Sequence, residues 1–184
     1  MAQDPNIEMW SLDECHFQQH GSRCVMWVPP EEKDPVLLHA PTRKSMALFG
    51  AVNLMTGKLV HTVSTIFNAE TFLDFLKKLQ YHKSKKKTTV VILDNARYHH
   101  AVLLKPWIEK HQERFKLEFL PPYSPELNPI ERVWKLARTL CTHNQYFPQL
   151  EELVSGVSFQ LNVWSKPNET LRRLCCIIKD VVYN

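Results

Sequence analysis

The chain has 184 residues, and 23 Lys and Arg against 19 Asp and Glu leave a net charge of +4. Apolar residues are 44% and charged residues 23%, the balance of a globular domain rather than a disordered one, and no apolar run approaches the ~20 residues that cross a bilayer. The small basic excess permits a polyanionic partner without requiring one, and Met1-Ala2-Gln3-Asp4-Pro5 has neither region of a signal peptide. Five cysteines, at positions 15, 24, 141, 175 and 176, include no CxxC pair, which argues for free thiols rather than a disulfide framework or structural zinc.

Residues 9–17 read as a strand, turned at His20-Gly21-Ser22, with 24–28 as its partner up to Pro29-Pro30. Residues 29–42 are a loop excursion. Residues 45–54 and 58–65 are β-rich runs around Met55-Thr56-Gly57, a hairpin signal. Asn68 can cap a helix with Ala69, Phe72, Leu73, Phe75, Leu76 and Leu79 on one stripe. After a basic loop at 82–87, residues 88–93 form a β-branched run with the look of a strand buried on both faces. Residues 102–111 read as a helix, 116–120 as a strand stopped by Pro121-Pro122, and 128–142, 150–163 and 171–182 as helices. Antiparallel strands leading into strand–helix alternation predict a mixed sheet with helices on both faces. The expected class is α/β, a ribonuclease-H-like five-stranded sheet with three strands in a meander and two reached by crossovers.

Three carboxylates break the ordinary pattern. Asp13 lies within the first strand, where alternation puts Met9, Ser11, Asp13, Cys15 and Phe17 on one face. A charge among apolar neighbours is costly unless paired or metal-bound, although an outward-facing strand residue would also account for it. Asp94 ends the most apolar strand, where α/β sheets gather ligands, or where Asp-Asn makes a turn. Glu131 follows Asn128-Pro129-Ile130, which reads equally as a capping box with Asn128 at the cap and Glu131 at its third position. Ile130, Val133, Trp134, Ala137, Leu140 and Cys141 form the stripe expected to be buried. Glu131, Lys135 and Arg138 share the other side, as a phosphate track or a solvated face. Taken together, one carboxylate on the first strand, one after a crossover strand and one on a later helix can converge at one end of the sheet. Hard oxygen ligands without His or Cys point to Mg²⁺ or Mn²⁺. A metal-free carboxylate pair for sugar hydrolysis is the chemical rival.

The segments Leu93-Asp94-Asn95-Ala96-Arg97-Tyr98-His99 and Leu120-Pro121-Pro122-Tyr123-Ser124-Pro125-Glu126-Leu127-Asn128-Pro129-Ile130-Glu131-Arg132-Val133-Trp134 closely resemble the signature of DDE transposases of the mariner superfamily, most of all its bacterial insertion-sequence branch, family six-thirty. Leu12-Asp13-Glu14 and the hairpin around Phe49-Gly50-Ala51-Val52-Asn53 fit the same pattern, so the resemblance runs from about residue 9 to 179. It implies a metal-dependent catalytic domain that cuts transposon ends and joins the freed 3′-hydroxyl to target DNA. It makes Asp13, Asp94 and Glu131 the catalytic triad, expected to bind two Mg²⁺ or Mn²⁺ ions with Asp13 bridging. Thirty-six residues separate Asp94 and Glu131, slightly more than is usual in the family.

The implied partner is double-stranded DNA, both transposon ends and target, bound by a homodimer when complete, in the bacterial cytoplasm at the nucleoid and away from membranes. Lys135, Arg138 and the loop cations Lys85, Lys86 and Lys87 are the expected DNA contacts. The chain is expected to be one catalytic domain over residues 1–184, without the family's helix-turn-helix reader domains. A truncated or domesticated form that binds DNA or a partner without cutting is the alternative. Pro121-Pro122-Tyr123-Ser124-Pro125 is expected to be a scaffold that places Glu131, and His99 and His100 to be structural.

Overall fold

The computed structural model describes residues 4–25, 27–31, 36, 38 and 40–176. Five strands, β1 (Ile7–Gln18), β2 (Ser45–Asn53), β3 (Leu59–Ser64), β4 (Thr88–Leu93) and β5 (Phe115–Phe119), form one sheet in the order β3-β2-β1-β4-β5. The first three are antiparallel neighbours, whereas β4 and β5 run parallel to β1. This is the expected mixed sheet. The helices are α1 (Ala69–His82), α2 (Lys105–His111), α3 (Ile130–Cys141), α4 (Leu150–Val163) and α5 (Glu169–Cys175). None of the described helices is long and apolar enough to cross a membrane.

Strand alternation divides β1 between two cores. Trp10 and Leu12 face α1 together with Phe49, Ala51, Val91 and Leu93. Cys15 and Phe17 face α3, α4 and α5 together with Leu48 and Val52. Because both faces are covered, the central strands are apolar almost throughout. The start of α1 is as expected and more complete: Asn68 Oδ1 accepts from Thr71 N–H at 2.9 Å, and Thr71 Oγ1 accepts from Asn68 N–H at 3.1 Å. Gly50 on β2 lets the Trp134 ring lie against the sheet, since a Cβ there would stand 2.2 Å from Cη2.

Four expectations are corrected. Described residues of 24–28 do not form a strand beside β1. That edge is taken by β2, paired from Trp10–Asn53 to Gln18–Ser45, while the Cys24 backbone bonds instead to the Asn144 side chain at 2.8 and 3.0 Å. Residues 102–111 open as a 3₁₀ turn, Val102–Leu104, and are α-helical only from Lys105. On α3 Leu140 leaves the expected stripe for solvent, whereas Cys141 stays on it, partly buried against the core. The last helix ends at Cys175, and the remainder of its expected span, beyond Cys176, lies outside the described residues. Cys15, Cys24, Cys141 and Cys175 are free thiols.

Candidate active site

Parallel pairing of β1 with β4 ends at Ser11–Ile92. Asp13 and Asp94 each stand two residues further along, so the register alone brings them to the same end of the sheet. Glu131 reaches that place from the first turn of α3. The three line one cleft of about 420 Å³, walled by the loop from Leu120 to Pro125. Asn95 donates to the Leu120 carbonyl, and Leu120 N–H to the Leu93 carbonyl at 2.8 Å, so the loop is tied to the end of β4. Tyr123 in this wall is fully exposed and has a left-handed backbone, φ 58°, a strained conformation for a residue with a side chain.

The electrostatics of the cleft are unfavourable for the protein alone. Burial, then the charges of Glu14 and Glu131, push the Asp13 carboxyl up to about 8, with Asp94 adding to the effect. None of the ion pairs among the described residues involves Asp13 or Glu131. A group of carboxylate oxygens in which Asp13 and Glu131 have no ion pair, built of hard donors, fits Mg²⁺ or Mn²⁺.

The start of α3 is not the expected capping box. Pro129 occupies the cap, and its side chain makes no capping bond. The Asn128 side chain turns away from the helix, accepting from Ser11 Oγ and donating to the Leu12 carbonyl at 3.2 Å. Ser11 Oγ in turn accepts from Ile130 N–H at 3.0 Å. The first turn is therefore capped from the neighbouring strand. The physical reason is burial: Asn128 is 4% and Ser11 0% exposed, and buried polar groups must find partners. Glu131, released from any capping bond, is left to the cleft.

Behind Asp94 lies a chain of hydrogen bonds that the sequence reading did not find. Asp94 Oδ1 accepts from Ala96 N–H at 3.1 Å and from His99 Nδ1 at 3.1 Å. His99 Nε2 meets Glu14 Oε1 at 3.1 Å, and Tyr98 Oη donates to the same Glu14 oxygen. Burial alone would lower the imidazole, but the bonds to Asp94 and Glu14 outweigh it and raise it to about 9. The ring is therefore a cation at neutral pH, and its hydrogen bond holds Asp94 below the usual carboxylate range. Burial and the Glu14 charge raise the Tyr98 hydroxyl, so it remains a donor. The available signal was the alternation of β1, which puts Glu14 on the face opposite Asp13.

The expected cations separate into two groups. Lys135 and Arg138 line a groove of about 720 Å³ that also contains Glu131, Arg132 and Asn128. Arg138 is half-buried there, donating to Cys15 Sγ at 3.1 Å, with its guanidinium 5.7 Å from the centre of the Phe17 ring. Lys85, Lys86 and Lys87 precede β4, at the end of that strand opposite Asp94. The structure therefore places these three away from the carboxylates. Trp10, Trp134 and Trp164 are buried, whereas Trp27 is fully exposed.

A family profile described as DDE superfamily endonuclease matches residues 8–154. The Shigella sonnei "Insertion element IS630 uncharacterized 39 kDa protein" is 28% identical over 110 residues, which are 60% of this chain and 32% of that protein. "Uncharacterized protein y4pE/y4sA" of Sinorhizobium fredii is 32% identical over 108 residues, 59% of this chain and 76% of that protein. The chain thus aligns with about a third of the Shigella protein's length. Among solved structures, the Mos1 transposase paired-end complex with left transposon end has a TM-score of 0.66 at 18% identity, covering 92% of this chain and 51% of that one. The catalytic core domain of BIV integrase has a TM-score of 0.53 at 14% identity, covering 90% and 93%. At such identities these two report a shared fold.

Proposed function

The chain belongs to the DDE superfamily endonuclease family, and from that premise we propose that it is the catalytic domain of a transposase of the IS630 and mariner group. It cuts DNA at transposon ends and transfers the freed 3′-hydroxyl strand to target DNA. The observation that carries this reading is the convergence of Asp13, Asp94 and Glu131, from three separate elements, on one cleft, with His99 pairing Asp94 from behind and no ion pair to Asp13 or Glu131 among the described residues.

Asp13, Asp94 and Glu131 would hold Mg²⁺ or Mn²⁺. Bound ions would supply charge stabilisation at the attacking and leaving oxygens of an in-line displacement. Asp94 offers Oδ2, since Oδ1 is committed to Ala96 and His99. Asp13 feels the charges of both Glu131 and Asp94, so it would contribute to holding ions on either side of it. Lys135 and Arg138 extend the site along the groove, where they would hold the phosphates on either side of the cut and fix its register. The working form is a pair of copies, each supplying one cleft to one transposon end.

The test is nicking of supercoiled DNA by the purified chain. Mg²⁺ or Mn²⁺ should support it, EDTA should stop it, and Asp94→Asn should reduce it below detection while its melting curve still shows a cooperatively folded protein. An Asp94→Asn protein that nicks like the wild type refutes the assignment. Tight DNA binding with no metal-dependent cut would instead favour a non-cutting binding module.

A further inference from the structure

We propose that His99 is a positioning residue for the cleft, that it fixes which oxygen of Asp94 is presented to a divalent ion, and that Glu14 and Tyr98 hold His99 in that orientation. This rests on the reading of Asp94 as a metal ligand given above.

The geometry behind it is unusually complete for a single side chain. His99 is 2% exposed and has a carboxylate oxygen at each ring nitrogen, Asp94 Oδ1 and Glu14 Oε1, both at 3.1 Å. Nδ1 also lies 3.2 Å from the Asp94 main-chain oxygen, so one ring edge grips Asp94 by backbone and side chain together. The ring cannot swing away. It packs on Phe72 at 4.2 Å between centroids and meets Tyr98 edge-on at 4.5 Å. Asp94 Oδ1 is thereby filled by two donors, while Oδ2 has no hydrogen-bond partner among the described residues. A carboxylate free to rotate would lose conformational entropy on binding an ion and could offer either oxygen; one clamped from behind is already oriented. Hydrogen-bonded supports of this kind commonly change metal affinity by about 10–100-fold when removed.

The chain also links two elements of the site. Glu14 leaves β1 on the face opposite Asp13 and reaches His99, which follows β4. Asp13 and Asp94 are thus braced against each other through the apolar side of the sheet, not only across the cleft. The Glu14, Asp94 and His99 donor atoms lie within 4.8 Å of one another, a spacing that would also suit a metal. Their mutual hydrogen bonding argues otherwise. An imidazole that donates from both nitrogens has no lone pair to give, and Glu14 Oε1 already takes the bonds of both His99 and Tyr98.

The two ring nitrogens can be tested separately, because an Asn amide nitrogen falls near the place of Nδ1 and a Gln amide nitrogen near that of Nε2. Mn²⁺ binding to the purified chain without DNA, read from the free-ion electron paramagnetic resonance signal, is the measurement. The expected result is affinity within about threefold of wild type for His99→Asn, which keeps the donor to Asp94. A loss of about tenfold or more is expected for His99→Gln and His99→Leu, and a smaller loss for Tyr98→Phe. Thermal melts identify any variant that fails to fold; if His99→Leu does, the Asn and Gln pair carries the test. Wild-type affinity in folded His99→Gln would overturn the proposal. So would a loss in His99→Asn as deep as in His99→Gln, which would make the ring itself a ligand. Asp94→Ala is the control for the underlying reading: unchanged Mn²⁺ binding there would remove Asp94 from the metal site, whereas a loss there with none in His99→Gln would remove His99 alone.

Discussion

Glu8 and Asp13 stand on the same strand, β1, and both are withdrawn from solvent. Glu8, at the end near the basic loop, is 7% exposed and fully answered: Oε1 accepts from Ser84 N–H and Thr89 Oγ1, both at 2.8 Å, and Oε2 meets Asn53 Nδ2 at 3.5 Å. Asp13, at the other end, is surrounded by Glu14, Glu131 and Asp94. One acid serves the fold, with neutral donors aimed at it. The other is opposed by the fold, which gathers more negative charge about it. A buried acid by itself therefore indicates nothing about chemistry; the sign of its neighbours does.

Substitutions at the two ends should give opposite results. Asp13→Asn should abolish metal-dependent cleavage while raising the melting temperature of the metal-free protein at neutral pH, because an amide removes the cost of forcing a proton onto that carboxyl on folding. Loss of both activity and stability would show that Asp13 is structural. Glu8→Ala should do the reverse. It leaves three donors without their acceptor and should cost about 1–3 kcal/mol in urea unfolding, while Mn²⁺ affinity holds. A folded Glu8→Ala protein with weakened Mn²⁺ binding would erase the distinction.

A smaller effect sharpens the same contrast. Asp13 titrates at about 8 in the fold against 3.8 in an open chain. Between those values the folded state holds the extra proton, so stability falls as pH rises. His99 acts in the same direction: raised to about 9 from 6.5, its contribution is complete below 6.5 and lost as pH rises through 9. The metal-free protein should therefore melt lower at pH 8 than at pH 6, less steeply in Asp13→Asn. A wild-type melt that rises across this window would contradict both assignments. Least in magnitude, replacing Lys135 and Arg138 by Ala should weaken all duplex sequences alike and flatten the log–log salt dependence by up to about 1.8. Replacing Lys85, Lys86 and Lys87 should leave cleavage of bound DNA unchanged, since they stand at the Glu8 end. Equal losses of cleavage from both sets would show that DNA spans the whole sheet edge.

Much of this was legible in the sequence, for identifiable reasons. β4 declared itself through Thr88-Thr89-Val90-Val91-Ile92-Leu93, and α4 was bounded correctly at Leu150 and Val163, because strong local patterns survive tertiary packing. Asp13 was nameable because a charge sits oddly on an apolar strand, and Asp94 and Glu131 because the segments around them match a known motif, although each also fitted a local role as turn or cap residue. What failed was long-range. Nothing local tells that Asn128 abandons its own helix for β1, or that residues 24–28 yield the strand edge to β2. His99 was given a structural role, and its two carboxylate partners were missed, since Glu14 is remote in sequence and adjacent only once β1 and β4 pair. Motif and periodicity reading finds acids; it does not find what stands behind them.

The bond between Ser11 and Asn128 has a bearing on how the molecule comes into being. It joins groups 117 positions apart, and closing a loop of that length costs on the order of 4 kcal/mol in chain entropy. The first turn of α3 borrows its cap from Ser11, so Glu131 cannot settle before β1 is aligned and the chain has been made at least as far as α3. A ribosome-bound or half-folded chain, even one with β1 and β4 already paired, has two acids in place and the third adrift. The three-acid cleft is thus complete only once β1 and α3 have met, late in the making of the fold.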